Sequence, residues 1–446
     1  MEELQKSFDL HGLMNVEVFY WWCVALMFAI HAGFLFYEMG ISRVKNVMAS
    51  AMKNLLTLAV VIPSFFFVGW WIYNAFPDGF IPRLNDGFAL GALPWSANMG
   101  PNLADHASGV FWAAFALFAA TTASILSGAV IERIRMSAFL ILATVLGSFI
   151  WILGAAWGWH GQGWMLTKLG YHDVAASGVV HTIAGFFALG VLINLGPRIG
   201  KYVKQRSITI AGHNLPNVFL GLMLIYIGFF GFLGGCLIFN VGSDWMTIYG
   251  TPATLSAFAF NALMGFAGGI IGCYLSSKSD PMWSMSGGLA GFISVGAGLD
   301  LYHPGLAFLI GAIGGLLAPF IGKLLDRGKI DDPVGAIALH GFVGVWGVIA
   351  VGLFASGYPN VSGPEISLLG QVVGALVMVL LGIVPGYAVS WVLKKANALR
   401  IPPEVEVLGL DIVEMPASPY PEGIPPTPES IPSGLGQPLR PKSVKS

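Results

Sequence analysis

Long apolar stretches dominate this chain and most constrain how it can fold. Eleven of them follow one another between residues 17 and 394, each long enough, or nearly so, to cross a bilayer as a helix of about twenty residues. The eighth, at 284–300, is the shortest and is rich in glycine. Only 10% of the residues are charged, whereas soluble domains have roughly a quarter. We therefore predict an all-α integral membrane protein with eleven transmembrane helices.

The basic residues predict the orientation of these helices. With the N-terminus outside, the outer segments carry only Lys6, Arg83 and Lys168, whereas the inner loops carry many basic residues. Because cytoplasmic loops are enriched in lysine and arginine, this bias predicts an N-outside, C-inside topology with an odd number of spans. The basic residues of the inner loops are Arg43, Lys45, Arg133, Arg135, Arg198, Lys201, Lys204, Arg206, Lys278, Lys323, Arg327 and Lys329.

Residues 397–446 differ in composition from residues 1–396, which we assign to the transmembrane domain. This segment holds eleven prolines in fifty residues. It lacks the means to bury a core, so we predict a Pro-rich cytoplasmic tail that is largely disordered. It is also too short and too polar for a kinase or cyclase domain. The N-terminus, MEELQKSFDLHG, is acidic, which argues against a cleaved signal peptide.

Net charge and cysteine content exclude several classes of function. The net charge of −1 gives no indication of a nucleic-acid partner. Cys23, Cys236 and Cys273 lie in apolar stretches without CxxC spacing, so we expect neither a disulfide framework nor a metal site. We also expect no cofactor.

Two histidines lie inside apolar stretches, His181 in the fifth and His340 in the tenth. Each follows an aspartate by eight positions, Asp173 or Asp332, and each precedes a glycine by four. An ionisable side chain in lipid is costly and usually faces a partner or a pathway. One such histidine alone is as readily structural, but the matched pair favours a functional site. Spans one to five and six to ten then form two inverted repeats, with span eleven added, and the site lies near the midplane between them.

Other residues of the spans carry weaker signals. Phe118 and Phe232, taken alone, are assigned to core packing. Asp173 is expected to cap its helix and to stabilise a cation, and Asp332 to act as a plain cap.

Further features point to helix packing and to the inner interface. Glu38 and Lys53 lie near span ends and are expected at the inner interface. Three glycine-rich runs predict close helix packing rather than a phosphate-binding loop, since no lysine follows any of them: 265–269, 287–291 and 311–315.

Seven segments of the chain, in order, resemble the ammonium transporter/Rhesus family (Amt/Mep/Rh). They are GFLFYEMGISRVKNV, SGAVIERIR, HDVAASGVVH, HNLP at 213–216, IYIGFFGF, DDP followed after six residues by His340, and LRIPPEVEVLGLD. Each segment is short, but together they cover about residues 17–411.

This resemblance implies an eleven-span homotrimer in the lipid bilayer of a prokaryotic cell membrane, with a pore through each subunit. His181 and His340 resemble the family's twin histidines, Phe118 and Phe232 its stacked phenylalanine gate, and Asp173 its aspartate near the outer vestibule. Ammonium would be captured outside, lose its proton near the gate and cross as ammonia, with the proton passing through the histidines. A dry pore fits this scheme, because it penalises a cation more than a neutral molecule.

The outer vestibule departs from the family pattern. His160 stands where most members have a tryptophan, and Trp159 and Trp164 flank it. Cys236 replaces a serine, and Ala114 replaces a phenylalanine. Because the family's outer site attracts a cation with aromatic rings, we expect weaker ammonium capture here.

Two further departures lie near the inner face. Gly335 replaces an aspartate that is common before the second histidine. The tail segment GLDIVEMPASPYPEG lacks the usual HGE, which weakens the prediction of a PII-type regulatory partner.

The sequence therefore favours an ammonium/ammonia transporter or channel. The alternative is an ammonium sensor that uses the same fold and signals through a separate partner. The altered vestibule favours this alternative, and the lack of a fused output domain in the printed sequence opposes it. An intramembrane enzyme is disfavoured, since neither HExxH nor GxSxG occurs.

Overall fold

Long apolar helices form nearly the whole molecule. The structure, a computed structural model, describes residues 1–100, 108–204, 206–238, 245–360, 362–415 and 419–420. Eleven helices correspond to the predicted spans: α1 Glu2–Ile41, α2 Val44–Ala75, α3 Gly109–Ala129, α4 Met136–Gly158, α5 Ser177–Leu195, α6 Leu215–Gly234, α7 Leu255–Ser277, α8 Pro281–Gly296, α9 Pro304–Arg327, α10 Ile337–Phe354 and α11 Leu368–Lys395.

Ten of these helices are long and apolar enough to cross a membrane, within the described residues. The exception is α8, whose 16 residues are fewer than the roughly twenty that span a bilayer. The all-α, multi-pass membrane fold is therefore confirmed, whereas the count of eleven spans and the N-outside orientation stay predictions. "Outer" and "inner" below refer to that predicted orientation.

Short elements connect the long helices. The outer and inner loops contain short helices at Gly87–Gly91, Ala97–Met99, Trp164–Leu169, Pro403–Leu408 and Leu410–Val413. The loops also contain two short antiparallel strand pairs: β1 Tyr202–Val203 with β2 Arg206–Ser207, and β3 Leu237–Ile238 with β4 Met246–Thr247.

Helices that hold equivalent places in the two halves pack against each other. The first helices of the halves, α1 and α6, lie side by side, and the fifth helices, α5 and α10, cross. This is the pairing expected of two repeats related by a twofold axis in the membrane plane.

Glycine faces allow α7, α8 and α9 to approach closely. A Cβ on Gly269 would lie 2.2 Å from the carbonyl oxygen of Gly287, and one on Gly311 would lie 2.3 Å from that of Gly265. A larger residue at either position would push the backbones apart. The prediction that these glycine-rich runs serve helix packing is confirmed.

Residues 397–415 are folded against the inner loops, although we predicted a tail that is largely disordered from residue 397. The Asp411 carboxylate accepts hydrogen bonds from the N–H groups of Met48 (2.9 Å) and Ala49 (2.8 Å) at the start of α2. Arg400 pairs with Glu406 at 2.7 Å, and the Glu406 side chain is buried. The rest of the predicted tail, apart from residues 419–420, lies outside the described residues.

Candidate functional site

The two predicted histidines meet at the interface between the halves. The Nδ1 atoms of His181 and His340 lie 3.0 Å apart. Both residues are buried, with 1% and 5% of their surface exposed. One Nδ1 must carry a hydrogen while the other accepts it, and the tautomer decides which ring donates. The pair therefore shares one hydrogen bond across the repeat interface.

Both histidines lie in turns of π-helix at the start of α5 and α10, at Ser177–Thr182 and Ile337–Phe342. Such turns are rare and occur frequently at functional sites. A residue with left-handed backbone precedes each turn, Ala176 with φ +73° and Gly335 with φ +71°. The glycine that replaces the family's common aspartate thus occupies a position whose backbone favours glycine.

The glycines four positions after the histidines explain why the two rings meet. A Cβ on Gly185 would lie 2.2 Å from the backbone nitrogen of Gly341, and one on Gly344 would lie 2.4 Å from the carbonyl oxygen of Ser177. Only glycine permits these approaches. The repeated His-x3-Gly spacing therefore places the crossing point of α5 and α10 next to the two imidazoles.

Aromatic rings cover His181 on the outer side. The ring centroids of Phe118 and Phe232 lie 4.4 Å apart, edge to face, and both side chains are fully buried. Phe232 lies 5.8 Å from the His181 ring and Phe229 lies 5.9 Å from it, both in stacked orientation. The structure thus brings the two predicted gate residues together directly above the histidine pair.

Asp173 is a buried cap of α5. Its Oδ2 atom accepts hydrogen bonds from the backbone N–H groups of Gly178 and Val179, both at 2.8 Å, and from the Tyr171 hydroxyl at 3.2 Å. The Trp159 indole N–H donates to the Asp173 carbonyl oxygen at 2.7 Å. Asp173 therefore orients both the histidine helix and an aromatic ring of the outer side.

Three further predicted site residues lie close to Phe118 and Phe232, the two predicted gate residues. The Trp159 ring lies 5.5 Å from Phe118, so it belongs to the same aromatic cluster. Cys236 lies one turn beyond Phe232 and donates to its carbonyl oxygen at 3.4 Å. Ala114 is buried one turn before Phe118.

His160 and Trp164 are farther from the gate. The His160 ring packs on Tyr73 at 5.2 Å, and Tyr73 in turn packs on Phe115, which contacts Phe118. Trp164 packs on Trp157 at 5.7 Å. The aromatic neighbour of the gate is therefore Trp159 rather than the residue at the expected tryptophan position.

The surroundings of His160 keep its imidazole neutral over a wider pH range than usual. Burial lowers its pKa, and the positive charge of Arg83 lowers it further. Its Nδ1 atom accepts a hydrogen bond from the Gln162 N–H at 3.2 Å, which also suits a neutral ring. His160 therefore stays uncharged down to a lower pH than an exposed histidine does.

Two cavities lie on the inner side of the histidine pair. A small cavity of about 20 Å³ is lined by His340, Tyr37 and Glu38 among apolar residues. A larger cavity of about 460 Å³ is lined by Tyr37, Asp332 and Trp283 and reaches charged residues of the inner loops. Tyr37 and Val334 line both cavities, and the Tyr37 hydroxyl donates to the Val334 carbonyl oxygen at 3.4 Å.

Glu38 and Lys53, which we expected at the inner interface, are both buried in the protein. They form a buried ion pair, with 3.2 Å between Lys53 Nζ and Glu38 Oε2. The Lys53 ammonium also donates to the Ser127 carbonyl oxygen at 2.6 Å. The sequence did not predict this pairing, because the two residues come from different helices and only the packing of α1 against α2 brings them together.

Phe229 was also missed by sequence reasoning. It precedes Phe232 by three positions and therefore lies on the same helix face. That spacing was the available signal, but aromatic residues in membrane helices are too common for it to identify a ring that stacks on His181.

Comparison with known proteins gives a consistent assignment. The sequence profile described as Ammonium Transporter Family matches residues 18–420. The chain is 32% identical to the ammonium transporter Amt1 of Methanocaldococcus jannaschii, over 93% of this chain and 100% of that protein. It is 33% identical to the ammonium transporter Amt2 of Archaeoglobus fulgidus, over 90% of this chain and 86% of that protein.

Solved structures agree with this assignment. A structure titled "Sensor Amt Protein" matches with a TM-score of 0.77 and 28% identity, over 93% of this chain and 100% of that one. Rh50 of Nitrosomonas europaea shares the fold, with a TM-score of 0.64 and 20% identity, over 87% of this chain and 90% of that one. A multi-pass membrane fold, a profile match over nearly the whole chain and relatives of this similarity together show that the chain belongs to the Ammonium Transporter Family.

Proposed function

We propose that this protein conducts ammonium nitrogen across the membrane, taking up ammonium outside and passing ammonia through a hydrophobic pore lined by His181 and His340. The observation that carries the proposal is the 3.0 Å contact between their Nδ1 atoms in an otherwise apolar, buried position. Among the residues that the structure describes, the Nε2 atom of His181 has no hydrogen-bond partner. It is therefore available to a small polar molecule in the pore.

The apolar surroundings supply the selectivity. Ammonium that reaches Phe118 and Phe232 must leave water to go further, and a dry channel penalises the charged form far more than neutral ammonia. The proton is therefore lost before the rings are passed. The hydrogen-bonded histidine pair offers it a route, because an imidazole can accept a proton at one nitrogen and release one from the other.

Asp173 supports this function through structure and charge. Its carboxylate holds the start of α5 and is buried close beneath the outer aromatic cluster. When it is ionised, this carboxylate stabilises a cation at the outer mouth while leaving the pore itself uncharged.

The assembly and partners follow the family. We propose a homotrimer with one pore per subunit, set in the cell membrane. A PII-type regulator at the inner face is a weaker proposal, because Asp411 of the altered tail motif is already bonded to the start of α2.

A second candidate is an ammonium sensor that signals through a separate partner. Two observations favour it: the similarity to a protein titled "Sensor Amt Protein" over the whole of that chain, and the separation of His160 from the gate by Tyr73 and Phe115. A sensor needs the ammonium site but no continuous conduction.

One experiment separates the candidates. Purified protein is reconstituted in proteoliposomes, and ammonium-evoked current and internal alkalinisation by ammonia are recorded together. Current indicates transport of net charge, and alkalinisation without current indicates a channel for neutral ammonia. Silence in both assays, together with measurable ammonium binding, would favour the sensor and overturn the proposal.

A further inference from the structure

We propose that Glu38, paired with Lys53, takes up the proton that leaves the histidine pair on its inner side, so that proton and ammonia leave the pore by separate routes. This inference rests on the proposed function, since it assigns an exit to a proton that the pore would carry.

The first step of the route is the small inner cavity. His340 and Glu38 both line it, and its other walls are mostly apolar, including Phe34, Ile125 and Leu222. Its volume of about 20 Å³ is enough for one water molecule. A proton crosses a gap along hydrogen bonds, so a water molecule held in this cavity would link the imidazole to the carboxylate. Ions and larger solutes are excluded by size.

The Glu38 carboxylate is built to receive a proton. It is fully buried in α1, with the Lys53 ammonium 3.2 Å from its Oε2 atom. The Ser127 hydroxyl donates to its Oε1 atom. The positive charge of Lys53 favours the ionised form of the carboxyl group, and that form accepts a proton. Since a buried ion pair costs desolvation energy and rarely adds stability, its place beside the pore favours a functional role.

Lys53 connects the pair to the inner surface. A third cavity, also of about 20 Å³, is lined by Lys53, Ser50, Glu132 and Glu414. Glu414 is exposed at the inner face. Lys53 therefore lies between this cavity and Glu38, which lines the cavity below His340.

The proton transfers balance in three steps. Protonated His340 gives its N–H proton to the bridging water, the water gives a proton to Glu38, and the imidazole and the carboxyl group both become neutral. Lys53, which has lost its counter-ion, then gives a proton to a water molecule in the third cavity, from which it leaves past Glu414 at the inner face. Finally Glu38 passes its proton to the neutral Lys53 amine, which restores the ion pair. One proton has crossed, and every group is back in its first state.

Ammonia has a different exit. The larger cavity extends from Tyr37 and Val334 towards Trp283 and Asp332, and Glu38 does not line it. The two routes divide at the small cavity, which Tyr37 and Glu38 both line. A hydroxyl and a carbonyl at this branch offer hydrogen bonds to neutral ammonia, whereas the ion pair offers a proton acceptor.

The test compares current with ammonia uptake in proteoliposomes that contain Glu38→Gln. The amide keeps the size of the side chain but takes up no proton. We expect ammonium-evoked current to fall at least about tenfold, while ammonia uptake stays within about twofold of the unmodified protein. Glu38→Asp keeps a carboxylate and is the matched control, with current expected to remain.

A second variant protects the test against misfolding. Glu38→Gln alone leaves the Lys53 ammonium buried without a counter-ion, which destabilises the protein. The double variant Glu38→Gln/Lys53→Met removes both charges, so it should fold and pass ammonia but carry no proton current.

The remaining outcomes count against the inference. Unchanged current in either folded variant would overturn it, as would an equal loss of current and ammonia uptake, because that result indicates a structural role. Ammonia uptake without current in the unmodified protein would overturn it while leaving the proposed conduction intact. Failure of both assays in the unmodified protein would remove the proposed function and this inference with it.

Discussion

The two halves of the molecule use the same local element in different surroundings. Each half has an aspartate, then a residue with left-handed backbone, then a π-helical turn that carries the histidine. In the first half, Asp173 is fully buried and Phe229 and Phe232 stack on His181. The equivalent histidine of the second half instead lines a cavity on the inner side.

This difference would give the proposed pore a direction. On the outer side, aromatic rings exclude water and a buried carboxylate fixes the helix that carries the histidine. On the inner side, Asp332 is only half-buried, and cavities lead from His340 towards charged loops. In the proposed function, one repeated element would therefore serve as a barrier in one half and as an exit in the other, because its neighbours differ.

The largest expected effect comes from removing what the halves share. Replacing both His181 and His340 with leucine should lower ammonium-evoked current at least about a hundredfold, because the proposed pore then lacks the two imidazoles that would carry the proton past the aromatic rings. Current recording in proteoliposomes checks this. His11→Leu, at an exposed position of α1, is the control. Unchanged current in the double variant would remove the histidines from the mechanism.

The second prediction breaks the barrier of the outer half. Phe232→Ala removes the ring between Phe118 and His181, so hydrated cations and water should penetrate further and selectivity for ammonium over sodium should fall by about tenfold. Phe230→Ala is the matched control, since Phe230 lies on the same helix and is 42% exposed. Equal selectivity in the two variants would show that Phe232 is ordinary packing.

The third prediction compares the two caps. Asp173→Ala should lower the free energy of unfolding by about 2–3 kcal/mol, since a fully buried carboxylate with three donors is lost. Asp332→Ala should cost about 1 kcal/mol, because that carboxylate is half-buried and accepts from the Ile337 N–H. Thermal unfolding in detergent measures both. Equal losses would contradict the difference between the halves.

The fourth prediction concerns the two residues with left-handed backbone, with alanine placed at Gly335 and glycine at Ala176. Gly335→Ala should destabilise the protein by about 1–2 kcal/mol, because an L side chain is strained at φ +71° and its Cβ would lie 3.0 Å from the Trp283 ring. Ala176→Gly should stabilise it by about 0.5 kcal/mol through relief of the same strain. The two unfolding curves should therefore shift in opposite directions, and a shift in the same direction would argue against equivalent turns.

The smallest effect concerns the outer entrance. A protonated His160 would repel ammonium, and the lowered pKa of His160 moves this repulsion to a pH below the ordinary histidine value of about 6.5. Ammonium affinity should therefore fall by about threefold on acidification, with the midpoint of the fall below that ordinary value. His160→Trp should flatten the profile. Titrations at several pH values that give the same curve for both proteins would place His160 outside the capture site.

Much of the site could be predicted, because the sequence repeats its pattern. The spacing of Asp173 from His181 matches that of Asp332 from His340, which pointed to one site made from two halves. The Glu38–Lys53 pair could not be predicted, since it joins two helices whose rotation about their axes is set by packing. The sequence also did not predict that His160 lies apart from Phe118 and Phe232. Neighbouring residues at the end of a helix point in different directions, and packing decides which of them faces the two rings.

The sequence by itself determined that this chain is a multi-pass membrane protein, and that two histidines lie deep in its apolar stretches. Hydrophobicity over about twenty residues fixes such features without any tertiary contact. Only the tertiary structure decided that the two imidazoles share a hydrogen bond, that Trp159 rather than His160 joins the gate, and that residues 397–415 fold back on the inner loops. These features depend on the distance between crossing helices. Next to the histidines, the distance between α5 and α10 is set by the contact of Gly185 with Gly341.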